Sequence, residues 1–364
     1  MGTYFKAIDR FAAALTRRVI RHRGLVLISA VLAAVVIGAG ASKLEFSTNY
    51  RVFFSEANPE LQAFEELQST YTKNDNFFFV VESQSGAAFD RSTLAAVEEL
   101  TEAAWQIPYA IRVDSVSNFQ HTYAIEDDLI VEDLVRYAEE KDASFLEERR
   151  DVALAEPLLR NQILTGDGDV TAVNVVLQYP EKDLMEVPEA VAFARGLQSD
   201  IEAKYPQLTI HLTGVSMLNN AFAETGMTDA GTLMPLMFGV IFLLTWLILR
   251  SLTATFSTLI VIALSTVVAM GVAGLFGVKL TPIAMSAPIV ILTLAVADSI
   301  HILMSLRSLT RDGLRKNEAL IEAVRINFLP VTITSLTTIV GFLSLNFSDS
   351  PPYWHLGNIT AVGI

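Results

Sequence analysis

Residues 281–306 read T-P-I-A-M-S-A-P-I-V-I-L-T-L-A-V-A-D-S-I-H-I-L-M-S-L, an apolar run broken by one acid, Asp298. About 20 apolar residues at about 1.5 Å each cross a bilayer, so the stretch predicts a membrane-spanning helix. A carboxylate at such a position costs roughly 2.5–3.5 kcal/mol on insertion scales, and acids kept there usually face a bundle interior and mark an ion path. Counted back from Arg307, Asp298 lies about 13 Å into the membrane. His301, three residues on, shares its helical face, where an imidazole can pass on a proton.

Outward from this stretch the chain divides by charge. Of 364 residues 52% are hydrophobic, too many for an ordinary soluble protein. Residues 42–230 carry 34 acidic against 13 basic side chains, whereas the remainder is net basic, for −14 overall. The acidic part therefore reads as one soluble domain, an unfavourable surface for nucleic acid. With no cysteine there is no disulfide framework, and the five histidines have no metal-ligand spacing. No metal or other cofactor is expected. No nucleophile–base set or phosphate-binding glycine loop points to an enzyme.

Residues 1–23 hold Lys6, Arg10, Arg17, Arg18, Arg21 and Arg23 against Asp9 alone, and residues 24–41 carry no charge. The positive-inside rule makes this a cytoplasmic segment followed by a first span, in preference to a cleaved signal peptide. Further spans are predicted at residues 233–249, 256–276 and 328–347 beside the one with Asp298. Together these place helices 2–5 within residues 231–347, around a basic cytoplasmic connector at 307–327. Pro330 is assigned to the first turn of the fifth span. Thr332, Thr334, Ser335, Thr337 and Thr338 crowd that span and offer hydroxyls to neighbouring helices or to their own backbone. Residues 348–364 read as an outer loop and the start of a sixth helix, a new apolar run beginning at Ile359, with the chain ending inside it.

The acidic domain, predicted to be extracytoplasmic, shows α/β periodicity. A strand at 76–82, a helix at 90–105 capped by Asp90 or Ser92, and a strand at 110–116 form one β-α-β unit. A second comprises a hairpin, 158–164 with 170–178 across a glycine turn, then a helix at 188–202 and a strand at 208–213. Between them, residues 127–161 read as an exposed, largely helical insertion. Two such units suggest a ferredoxin-like sandwich. The fold class is therefore an α+β membrane protein: a polytopic helix bundle with a large external ferredoxin-like domain between the first and second helices.

This layout resembles half of an RND-superfamily transporter. The segments A-V-A-D-S-I-H-I-L at 295–303 and E-A-V-R-I-N-F-L-P-V-T-I-T-S-L-T-T-I-V-G-F-L-S-L at 322–345 resemble its MMPL-like, hydrophobe-exporting branch, which is related to Patched and the sterol-sensing proteins. The resemblance implies a porter-like external domain and proton-driven export of hydrophobic or amphiphilic molecules such as lipids across the cytoplasmic membrane. It also implies a proton-relay acid at Asp298. From the residues themselves, His301 is the second candidate for the relay, and Ser299, Thr334, Thr337 and Thr338 are candidate supporting hydroxyls. Ala295 and Ala297 stand where that branch commonly has a glycine. Relatives carry two such halves, so a C-terminal half or a second subunit is an expected partner. A sterol-sensing-like lipid receptor and a protein-export auxiliary resembling SecD or SecF are the alternative readings.

Overall fold

A computed structural model of the chain describes residues 2–47, 49–71, 75–180, 182–183 and 185–364. In chain order the elements are α1 (Gly2–Arg21), α2 (Arg23–Gly38), β1 (Glu45–Phe46), α3 (Pro59–Thr70), β2 (Asn76–Ser83), α4 (Arg91–Ala104), β3 (Ala110–Asp114), β4 (Gln120–Ile125) and β5 (Asp128–Asp133). They continue with α5 (Ala143–Ala155), β6 (Val170–Leu177), α6 (Glu186–Lys204), β7 (Leu208–Thr213), α7 (Val215–Gly231), α8 (Leu233–Leu249) and α9 (Leu252–Leu275). The last are β8 (Lys279–Leu280), α10 (Ala287–Arg311), α11 (Lys316–Leu343) and α12 (Pro351–Gly363). Two compact units result, Met1–Leu61 with Ala223–Ile364, and Gln62–Phe222.

The second unit is built on β2. Its alternation buries Phe77, Phe79 and Val81 completely on one face, and each such side chain contributes about 1.5–3 kcal/mol. The sheet order is β3-β6-β2-β7, with every neighbouring pair antiparallel. The two β-α-β units expected from sequence thus interleave, each unit placing one strand between the two of the other. Leu94, Val97 and Leu100 of α4 and Ala190, Val191 and Ala194 of α6 close the core over this sheet. Asp90 caps α4: its carboxylate accepts from the Thr93 amide at 2.8 Å, from Ser92 Oγ at 2.7 Å and from Thr93 Oγ1 at 2.8 Å. Burial pushes its pKa up, but these hydrogen bonds outweigh that and hold it below the usual carboxylate range.

Two local expectations change here. Residues 158–164 are not a hairpin arm, because both edges of β6 are already taken by β2 and β3. Instead they coil around the Leu159 carbonyl, which accepts from the amides of Gln162, Ile163 and Leu164, and they bury Leu159 and Leu164. Among the described residues, one bridge to β6 remains, Leu164 to Thr171, beside a local bridge of Arg160 with Leu164. The 127–161 insertion is likewise not a mere exposed helix. It forms much of the β4–β5 hairpin as well as α5, and drives Leu134, Val135, Ala138, Leu146 and Ala153 into the same core. Arg149 of α5 fixes the hairpin through Glu132 at 2.6 Å.

In the first unit and the segment leading to it, five stretches among the described residues are long and apolar enough to cross a membrane: Arg23–Lys43, Val215–Leu249, Leu252–Leu275, Ala284–Arg311 and Lys316–Phe347. They match the five spans read from the sequence, so this is a multi-pass membrane protein. At one end of the bundle α2 meets α9 backbone to backbone. A Cβ on Gly271 would collide with the Ile37 carbonyl, and one on Gly274 with the Gly40 carbonyl. At the same end β1 pairs in parallel with β8, and Ala269, Ala273, Leu280, Ala284, Ala287, Ile291 and Ile359 form a small buried core. The last helix starts at Pro351 rather than at Ile359, because two prolines preset its first turn.

Opposite lies the end formed by the α8–α9 turn, the α10–α11 turn and α1. The basic N-terminal segment is itself helical, and it packs Ala12, Ala13 and Thr16 where α11 buries Ala319 and Ala323. Pro330 is not in a first turn. The connector is helical from Lys316 onward and continuous with the span, which leaves the proline well inside a 28-residue helix.

Gly274→Val is expected to open the α2–α9 contact, lowering the melting temperature of the purified protein in detergent by an amount equivalent to about 1–3 kcal/mol. Asp90→Ala is expected to cost about 1 kcal/mol at pH 7. Because the folded-state pKa of Asp90 is depressed, its contribution is present above the unfolded value of about 3.9 and fades as pH falls through the folded one. Wild type and variant should therefore converge in urea titrations at progressively lower pH.

Candidate functional site

Helix α10 forms over residues 287–311, a largely apolar stretch with no glycine and with its one proline, Pro288, in the first turn. It presents Asp298 half-buried toward α11. There Ser335 Oγ donates to Asp298 Oδ2 at 3.2 Å. Two turns nearer the α1 end a second polar rung joins the same helices, Asn327 Nδ2 donating to Ser305 Oγ at 2.7 Å and also to the Ala323 carbonyl at 2.8 Å. The spacing, 298 to 305 on α10 and 335 to 327 on α11, is that of an antiparallel pair, the rungs lying about 11 Å apart along the axes.

A third polar contact ties α10 to α8. Arg307 donates through one guanidinium nitrogen to the carbonyls of Leu249 at 2.7 Å and Ile248 at 3.3 Å. Those carbonyls end α8, have no partner within their helix, and sit at its negative dipole end. Arg325, two residues before Asn327, bridges Asp9 of α1 at 2.7 Å and Glu322 at 2.6 Å.

The residues singled out in the sequence are not all brought together. Ser299 is half-buried beside Asp298 on α10, while His301 is exposed and shares no hydrogen bond with Asp298 among the described residues. Thr334 donates to the Pro330 carbonyl at 2.9 Å, Thr337 to those of Ile333 and Thr334 at 2.9 Å, and Thr338 to that of Thr334 at 2.7 Å. All three satisfy their protons within α11. Ser335, visible in the sequence only as one of a crowd, is the hydroxyl that reaches the acid. Its selection depends on the rotation of α11, which the Asn327–Ser305 rung fixes and which the period of an almost wholly apolar helix does not reveal.

Chemically, the pair offers a carboxyl in an apolar surrounding with one hydroxyl to hold its charged form. Adding or removing one proton there changes both the charge and the hydrogen bond between two helices.

Comparison with known proteins bears on what this site serves. The family model described as the MMPL family matches residues 54–364. A search of curated proteins gives no match. The matched stretch includes α10, α11 and both polar rungs, and by its extent this chain belongs to the MMPL family, whose members are transporters of hydrophobic substances and not enzymes.

Proposed function

We propose that the chain is the N-terminal half of a proton-driven exporter of hydrophobic or amphiphilic molecules, lipids foremost, in the cytoplasmic membrane. The Asp298–Ser335 hydrogen bond is the observation that carries the proposal. In hydrocarbon a charged carboxylate is costly, and Ser335 offers only partial compensation. Protonation removes the charge and reverses the sense of the hydrogen bond, so two packings of α10 on α11 exchange as the proton comes and goes. His301 stands one turn toward the Arg307 end, as an outlet to the cytoplasmic face. Ser299, Thr334, Thr337 and Thr338 supply further hydroxyls to the path.

The N-terminus is assigned to the cytoplasm, since Arg250, Arg307, Arg311, Arg315 and Lys316 cluster at the same end of the bundle as α1. The acidic unit is then external, as a ferredoxin-like porter domain between the first and second spans. The exposed hydroxyls of Thr334 and Thr337 on α11 favour a second helix bundle, from a C-terminal half or another subunit, as the partner that completes the path.

The test is proton-coupled movement of a fluorescent phospholipid in proteoliposomes holding the chain with its partner half, under an imposed pH gradient. Asp298→Asn is expected to abolish coupling while the elution profile of the purified protein stays unchanged. Ser335→Ala should lower the coupled rate by roughly ten- to a hundredfold, the worth of one hydrogen bond to a charged group. Coupled transport at the wild-type rate by Asp298→Asn would refute the relay.

A further inference from the structure

Helix α1 has three faces, and among the described residues only one is buried against the rest of the protein. Ala12, Ala13 and Thr16 are buried against α11, and Asp9 on that side is bridged to Arg325. A second face carries Phe11, Leu15 and Val19 at steps of four residues, and these are 59%, 43% and 39% exposed. On the third, Lys6, Arg10, Arg17 and Arg21 fall within about 60° of one another around the helix axis, with Arg18 at the border of the apolar stripe. All five cations are exposed. The single acid of α1, Asp9, is committed to Arg325 and neutralises none of them.

Depth follows from the neighbour. Phe11 meets Phe328 edge to face, with ring centroids 6.0 Å apart. Phe328 is where α11 passes from charged residues, Glu318, Glu322 and Arg325, into its apolar stretch. The apolar stripe therefore begins at the level where the bundle enters hydrocarbon. It also runs on toward α2, whose Leu25, Ile28 and Leu32 are 70%, 71% and 61% exposed along a predicted span. An apolar stripe beside a cationic face is the pattern of a helix lying in a membrane interface, its arginines reaching phosphate groups.

We propose that α1 is a lipid-binding element that lies in the surface of the membrane its own bundle crosses. Phe11, Leu15 and Val19 enter the boundary between headgroups and acyl chains, and Arg10, Arg17, Arg18 and Arg21 bind anionic phospholipid headgroups. Charge complementarity selects this occupant: a stripe edged by four arginines suits an anionic lipid surface, which attracts each such cation. A protein partner or a second copy would have to cover the same stripe. This role is independent of the transport proposed above.

The absence of cysteine makes a direct test possible in the full chain. Phe11→Cys, Leu15→Cys, Val19→Cys, Arg10→Cys and Arg17→Cys, each carrying a nitroxide, are reconstituted into vesicles of phosphatidylcholine alone or mixed with phosphatidylglycerol. Accessibility to oxygen reports lipid, and accessibility to a water-soluble nickel chelate reports solvent. In the mixed vesicles positions 11, 15 and 19 should be oxygen-accessible and 10 and 17 nickel-accessible, with the contrast weaker in phosphatidylcholine. On the chain without labels, phosphatidylglycerol retained through purification should fall several-fold when Arg17→Gln, Arg18→Gln and Arg21→Gln are combined. Nickel access along the stripe, protection of the stripe from both reagents, or lipid exposure and retention indifferent to phosphatidylglycerol would each overturn the proposal.

Discussion

In a bilayer, helices gain nothing by hiding apolar surface from one another, because lipid tails are as apolar as leucine, so a bundle must be held by close packing and by a few polar bonds. The contact of α2 with α9 shows the first device. Gly271 and Gly274 lie so close to the carbonyls of Ile37 and Gly40 that no side chain fits, and the resulting approach of two backbones replaces the missing hydrophobic drive with dispersion. Gly357 repeats the device against the Phe342 carbonyl, and Gly363 against the side chain of Ile291. All these contacts belong to the end of the bundle where β1 and β8 pair. Toward the other end glycine gives way to polar bonds: Asp298 with Ser335, Asn327 with Ser305, Arg307 with the end of α8, and Arg325 with Asp9.

What the sequence disclosed follows from which forces are local. Spans are matters of composition over a window, and they were legible, whereas the helical form of the basic N-terminal segment was not. The Asp90 cap, which needs only residues 90–93, was legible too. The interleaved strand order was not, because alternation in β2 says which side chains face the core but nothing about which strands flank it. Residues 158–164 illustrate the same limit: Leu159 and Leu164 looked like a strand's apolar positions, yet they serve as buried points of a coil once β6 has two other partners. Pro330 was misplaced for a related reason. A polar connector and an apolar span look like separate elements in composition, while helical hydrogen bonding passes from one to the other without interruption.

The position of Pro330 bears on how the two rungs between α10 and α11 divide their work. A proline inside a helix removes one backbone hydrogen bond, here to the Ile326 carbonyl, and makes that turn the easiest place to bend. Pro330 lies between Asn327, which is tied to Ser305, and Ser335, which is tied to Asp298. Below it α11 is also clamped through Arg325 to Asp9, and above it the helix has few buried residues. Pro330 thus separates the part of α11 clamped through Arg325 to Asp9 from the part that carries the Ser335–Asp298 hydrogen bond. Beyond Pro330, α11 is held by close packing instead, α12 meeting its far part at Gly357, where no side chain fits against the Phe342 carbonyl.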